Sequence, residues 1–237
     1  MIQYFGHLSP RAIIFDMDGL MVDSEPLAEW AWNQVLARYG HTLDAQTFRQ
    51  ILGMRVADSA LFICHRFPLP ITAEEALAER ERLFMEAAPA RLCACPGLYP
   101  LLDELAERGL PLGVATSGHR RYVTLVLRML GIDRFFQAVV TGDEVARGKP
   151  APDIYLLAAE RLDVPPNFCL ALEDAPLGVE SACAAGMACV AVPNEWTASL
   201  EFPGAYRVFN SLNEVRMWVT NFSKSSGSAL QLCPGLP

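Results

Sequence analysis

Ala12-Ile13-Ile14-Phe15-Asp16-Met17-Asp18-Gly19 is an unbroken apolar run that stops on two carboxylates and a glycine. Four successive apolar residues with no polar alternation suit a strand buried on both faces, as in a parallel sheet covered by helices. The same grammar recurs down the chain. Leu112 to Ala115 runs into Thr116-Ser117-Gly118, Ala138 to Val140 into Thr141-Gly142-Asp143, and Phe168 to Leu172 into Glu173-Asp174, while Ala188 to Val192 supplies a fifth run. Helical patterns lie between them: Tyr122, Leu125, Val126, Met129 and Leu130 follow the i, i+3, i+4 stripe and end at Gly131. Pro152 and Pro176 fall where first-turn helical prolines belong. The expected fold is α/β, a doubly wound Rossmann-like parallel sheet with helices on both faces.

One interval interrupts the alternation. Between Pro26 and Cys93 the sequence offers only helical segments: Leu27 to Tyr39 closed by Gly40, Asp44 to Leu52 closed by Gly53, Val56 to Phe67 closed by Pro68, and a fourth opened by Thr72. Thr72 and Glu75 have capping-box spacing. The division expected is therefore an α/β core over 1–25 and 94–222, an inserted all-helical cap domain over 26–93, and a flexible Ser/Gly-rich tail over 223–237.

Composition narrows the function classes. Hydrophobic residues are 52% of the 237, enough to fill a packed interior and against general disorder. Acidic residues outnumber basic ones 27 to 19, so no broad positive field exists to draw nucleic acid or anionic lipid, and an anionic ligand must be held by local charge. No apolar stretch reaches membrane-spanning length, and the first ten residues lack the basic and apolar regions of a signal peptide. Seven cysteines, an odd number without a Cys-x-x-Cys pair, read as reduced thiols serving mostly as small core residues, which points to the cytoplasm. No protein partner is evident. The basic residues comprise seventeen arginines and two lysines, Lys149 and Lys224, which isolates Lys149.

In an open α/β sheet, ligands bind beyond the carboxyl ends of the strands. Those ends carry Asp16 and Asp18, Thr116 and Ser117, and Glu173 and Asp174, with Lys149-Pro150 following the third run. Clustered carboxylates repel one another, and a hard divalent cation with oxygen ligands relieves the repulsion. Magnesium keeps several waters and leaves room for a phosphate oxygen, while a lysine, hydroxyls and backbone N–H groups near a helix start would hold the phosphate itself. The inventory is that of a phosphoryl-transfer site.

The segment Asp16-Met17-Asp18-Gly19-Leu20-Met21-Val22-Asp23-Ser24-Glu25, with Thr116, Lys149-Pro150 and Glu173-Asp174 in that order, resembles the haloacid dehalogenase superfamily of aspartate-nucleophile phosphatases. The wording of Gly148-Lys149-Pro150-Ala151-Pro152-Asp153-Ile154-Tyr155 and Leu172-Glu173-Asp174-Ala175-Pro176-Leu177-Gly178 is similar to its β-phosphoglucomutase-like branch, and the resemblance runs over about 12–220. It implies that Asp16 is the nucleophile, phosphorylated in the first step. Asp18 would be the general acid and then base, its backbone carbonyl helping to hold magnesium. Thr116 and the Ser117 amide would bind the transferring phosphoryl group, and Lys149 would neutralise its charge. Asp16, Asp18, Glu173 and Asp174 would make up the metal site. Glu25, Arg55 and His119 are the candidate specificity contacts, while Trp30 and Trp32 on the first cap helix read mainly as packing residues.

The expected activity is magnesium-dependent hydrolysis of a small phosphomonoester, a sugar or polyol phosphate. The competing expectation is a β-phosphoglucomutase-type isomerase. Mutases of that branch carry arginine at the fourth position of a cap Gly-x-x-Arg loop and lysine after the core hydroxyl loop. Here the first reads Gly53-Met54-Arg55-Val56 and the second holds His119. Phosphonate cleavage in relatives uses a cap lysine, and 26–93 contains none.

Overall fold

The computed structural model describes residues 10–220. Among them six strands form one parallel sheet: β1 (Ala12–Phe15), β2 (Leu112–Thr116), β3 (Ala138–Thr141), β4 (Cys169–Glu173), β5 (Ala188–Ala191) and β6 (Arg207–Val208). The spatial order is β3-β2-β1-β4-β5-β6. Strand order reverses across the β1/β4 pair, where Ile13 stands beside Leu170 and Phe15 beside Leu172. The crevice for a ligand therefore opens beyond Phe15 and Glu173.

The buried strands alternate their side chains between two helical layers. Ile13, Phe15, Val114, Leu170 and Val190 face α5 (Leu98–Glu107), α6 (Arg120–Met129) and α9 (Leu212–Val219). Ala12, Ile14, Ala115, Ala171 and Cys189 face α7 (Asp153–Arg161) and α8 (Pro176–Ala184). Small strand residues on the second face let those helices approach closely.

Four helices occupy the stretch between β1 and α5: α1 (Glu25–Ala37), α2 (Ala45–Arg49), α3 (Val56–Arg66) and α4 (Ala73–Arg91). They enclose a separate apolar cluster built on Trp32, Leu36, Phe48, Ile63 and Phe67. The helix α1 starts two residues before the expected Leu27, because Pro26 is tolerated in a first turn where its missing N–H is not needed. The expected helix over Asp44 to Leu52 is only five residues long, with the Asp44 side chain accepting from the Thr47 N–H at 2.8 Å. The predicted capping box of Thr72 and Glu75 is present.

Cys64, Cys93, Cys95, Cys169 and Cys189 carry free thiols, but Cys183 is disulfide-bonded, so reduced thiols throughout are not found. No helix among the described residues is long and apolar enough to cross a membrane. The tail over 223–237 lies outside the described residues.

Candidate active site

Each buried strand ends by delivering polar side chains to the same rim. Asp16 follows β1 and Glu173 closes β4, with Asp174 next; all three are buried, and one carboxylate oxygen from each lies within 4.8 Å of the others. Lys149 reaches between two of them, its Nζ donating to Asp16 Oδ1 and Glu173 Oε1 at 2.5 Å each. The Tyr155 hydroxyl, from α7, donates to the same Glu173 oxygen at 2.5 Å. Asn194, beyond β5, donates through Nδ2 to Asp174 Oδ2 at 2.9 Å and to the Gly19 carbonyl at 3.2 Å.

Charge is concentrated beyond what these donors neutralise. Burial raises the Asp16 carboxyl well above its usual range, against the pull of Lys149 and with added repulsion from Glu173 and Asp18. Asp174 is raised for the same reasons, burial first and then the negative charges of Glu25, Asp16 and Glu173. Three buried oxygen donors around a deficit of positive charge fit a hard divalent cation, and among the described residues neither sulfur nor imidazole joins the group. Asp18 stands apart: its side chain is not in this cluster, and the family resemblance gives it a place at the metal through its backbone carbonyl.

Asp18 is instead held by hydroxyls. Tyr122 donates to Oδ1 at 2.5 Å and Thr116 to Oδ2 at 3.4 Å. Thr116 Oγ1 also accepts from the Gly118 N–H at 3.0 Å, which shapes the loop entering α6. Asp16 and Asp18 thus lie two residues apart in sequence but in different surroundings, one against an ammonium and one against hydroxyls. Gly19 makes this tight turn possible. Its φ is +77°, and a methyl group there would collide with Glu25, Asp174 and Asn194.

Above the rim the helical insertion closes a cavity of about 120 Å³. Its floor holds Asp16, Asp18, Thr116, Lys149 and Asp174, and its roof includes Trp32, Phe48 and Leu52. Ser117 Oγ donates to the Gly53 carbonyl at 3.0 Å, fastening roof to floor.

The three candidate specificity residues part company. Glu25 lines the cavity, and burial, together with repulsion from Asp18, raises its carboxyl to about 8. His119 lines it too, but both ring nitrogens are engaged: Nδ1 accepts from the Tyr122 N–H at 3.3 Å, and Nε2 faces Glu81 Oε1 of α4 at 3.2 Å. Arg55 is not in the cavity wall. It makes a two-pronged pair with Asp58, with Nε to Oδ2 at 2.8 Å, donates to the Ala146 carbonyl at 3.3 Å, and rests its stem on Gly148. Trp32 packs in the helical cluster and also lines the cavity, while Trp30 is half-buried under the Arg91 guanidinium.

Tyr122, Tyr155, Asn194 and Arg80 were not anticipated from sequence. The tyrosines occupy core-facing helix positions, where an aromatic ring is explained by packing alone. Arg80 carried a readable signal: Ala76, Arg80, Phe84 and Ala88 are the buried positions of α4, spaced by four, and an arginine interrupts an otherwise apolar stripe.

The family model for haloacid dehalogenase-like hydrolases matches residues 10–186. Protein CbbY of Cereibacter sphaeroides is 34% identical over 216 residues, covering 86% of this chain and 94% of that protein. The phosphorylated carbohydrates phosphatase of Thermotoga maritima is 33% identical over 181 residues, covering 75% and 82%. The crystal structure of CbbY from Rhodobacter sphaeroides in complex with phosphate superposes with a TM-score of 0.78 at 32% identity, covering 87% and 96%. With the sheet order, the strand-end carboxylates and Lys149 already in place, these matches mean that the chain belongs to the haloacid dehalogenase-like hydrolases, in their phosphatase branch.

Proposed function

We propose that the protein is a magnesium-dependent phosphatase that hydrolyses a small phosphomonoester, a sugar or polyol phosphate, by way of a phosphorylated Asp16. The observation that carries this reading is the separation of the two aspartates: Asp16 is bound to Lys149, and Asp18 is bound to Tyr122 and Thr116. Two carboxylates in different surroundings can take different roles.

In the first step an Asp16 oxygen attacks phosphorus and the bond to the leaving oxygen breaks, Asp18 giving that oxygen its proton. In the second, water attacks the same phosphorus, Asp18 takes the water's proton, and the bond to Asp16 breaks to release inorganic phosphate. Lys149 offsets charge on the phosphoryl oxygens, and Thr116 with the Ser117 amide orients them. Asp16, Asp174, the Asp18 carbonyl and Glu173 would hold magnesium, which would supply further charge neutralisation at the phosphoryl group. The segment 26–93 acts as the cap that excludes bulk water and selects the leaving group. Glu25 and His119 stay in the reading as cavity-wall residues, whereas Arg55 serves to dock the cap on the Gly148 turn. The name of the Thermotoga maritima relative, a phosphorylated carbohydrates phosphatase, supports the substrate class.

With magnesium, the purified protein is expected to release phosphate from p-nitrophenyl phosphate, and more efficiently from a sugar phosphate. Asp16→Asn abolishes turnover; residual activity of the variant above a hundredth of the parent's would refute a covalent role for Asp16. The mutase reading draws no support from Arg55, which is committed to Asp58 and Ala146. Incubation with β-glucose 1-phosphate and a bisphosphate primer should give free phosphate and no glucose 6-phosphate.

A further inference from the structure

Arg80 is the cation the proposed chemistry does not use. It lies in the middle of α4, is 9% exposed, and lines the catalytic cavity alongside Asp18 and Tyr122. Among the described residues no hydrogen bond or ion pair reaches its guanidinium, and Nε is buried without a partner. Its contact is with a ring: the guanidinium carbon sits 4.4 Å from the centroid of Phe84, which meets Tyr122 edge to face at 5.2 Å. Burial of a charge without a hydrogen-bonded partner is costly, and it lowers this guanidinium's affinity for its own proton, against the weaker pull of Asp18 and Glu81.

Resting on the phosphatase reading, we propose that Arg80 is the cap's receptor for a second anionic group, so that the preferred substrates carry a carboxylate or another phosphate on the alcohol that leaves. A guanidinium has five N–H donors and no acceptor, in a planar fork that matches a carboxylate or phosphate. A hydroxyl neighbour would ask for an acceptor as well. Glu81 on the same helix is turned to His119, and although its charge and that of Asp18 attract Arg80, neither carboxylate is hydrogen-bonded to the fork. Lys149 cannot serve this second group, being held on the floor by Asp16 and Glu173. Roof and floor therefore each hold one buried cation, and the floor's cation is the one with protein partners. The aromatic face under Arg80 lets the fold keep the charge dry until a ligand arrives.

The test uses the whole protein with magnesium and four esters: p-nitrophenyl phosphate, glycerol 3-phosphate, 3-phosphoglycerate and 1,3-propanediol bisphosphate. The wild type is expected to favour 3-phosphoglycerate, the bisphosphate or both over glycerol 3-phosphate in kcat/KM. Arg80→Gln should cut that preference at least tenfold, chiefly through KM, and Arg80→Lys should restore part of it. Which anionic ester responds distinguishes a carboxylate from a phosphate receptor. Since the substitution removes an unpaired buried charge, the Gln variant should melt no lower than the parent. A preference unaltered by Arg80→Gln, or an equal loss on every ester, overturns the proposal. Should the wild type release phosphate from no ester, the phosphatase reading fails, and calorimetric titration of the Asp16→Asn protein still decides the role of Arg80. There, adding Arg80→Gln should weaken binding of the anionic esters at least tenfold more than that of glycerol 3-phosphate; equal weakening overturns the receptor role.

Discussion

Tyr122 shows how a residue that reads as core packing can hold the proposed acid–base, Asp18. Its ring is buried between the sheet and Phe84, and its hydroxyl is the shorter of the two hydrogen bonds fixing Asp18. Tyr122→Phe keeps the ring and removes the donor. A hydrogen bond is worth roughly 0.5–1.5 kcal/mol net, up to about one decade of rate where it fixes a reacting group. We expect kcat to fall about tenfold with little change in KM, read from steady-state kinetics on p-nitrophenyl phosphate. An unchanged kcat would mean that Thr116 alone positions Asp18. The strand-end residues Asp16, Thr116, Glu173 and Asp174 were legible in the sequence because a polar residue ending an apolar run needs a reason. Tyr122 and Tyr155 were not, because a helix stripe explains an aromatic ring without its hydroxyl.

At the scale of elements, the helix α4 joins three tasks. It packs against α1 and α3, carries Arg80, Glu81 and Phe84 over the cavity, and meets the core through the Glu81–His119 pair. Its start is secured by a reciprocal cap: the Glu75 N–H donates to Thr72 Oγ1 at 3.2 Å, and the Thr72 N–H donates to Glu75 Oε2 at 2.8 Å. Thr72→Ala leaves one helix-end donor unsatisfied and should cost about 1 kcal/mol. For a chain of this size that corresponds to a fall in Tm of about 2–4 °C, measurable by thermal melting followed by circular dichroism. A variant melting with the parent would show that α4 is held by packing alone. This cap was readable from sequence, since four residues hold its whole logic. The strand β6 was not: Arg207 and Val208 are both exposed, and two residues on a sheet edge leave no apolar run to read. The length of α2 escaped for a related reason, because periodicity continues through Ile51 while the helix stops at Arg49.

Across the whole molecule, the sheet, both helical layers and the helical insertion converge on a cluster of negative charge that the fold itself does not balance. Asp16 and Asp174 have carboxyls raised above the ordinary value of 3.8, by burial foremost and by mutual repulsion next. A carboxyl raised on folding contributes nothing unfavourable while both states are protonated. As pH climbs above the unfolded value and through the folded one, the native state loses stability relative to the unfolded chain. A divalent cation bound among Asp16, Glu173 and Asp174 offsets that loss and displaces the protons that compete with it. Magnesium should therefore raise Tm, and raise it more at pH 8 than at pH 6; EDTA should reverse the shift. At a concentration one hundred times its Kd, the ion would stabilise the protein by about 2.7 kcal/mol, or about 5–11 °C in Tm for a domain of this size. Asp174→Asn, which removes a charge while keeping the shape, should melt higher than the parent without metal and respond less to it. An equal shift at both pH values would show that protons and metal do not compete there, and would place the cation away from this cluster. A larger response of Asp174→Asn would exclude Asp174 as a ligand.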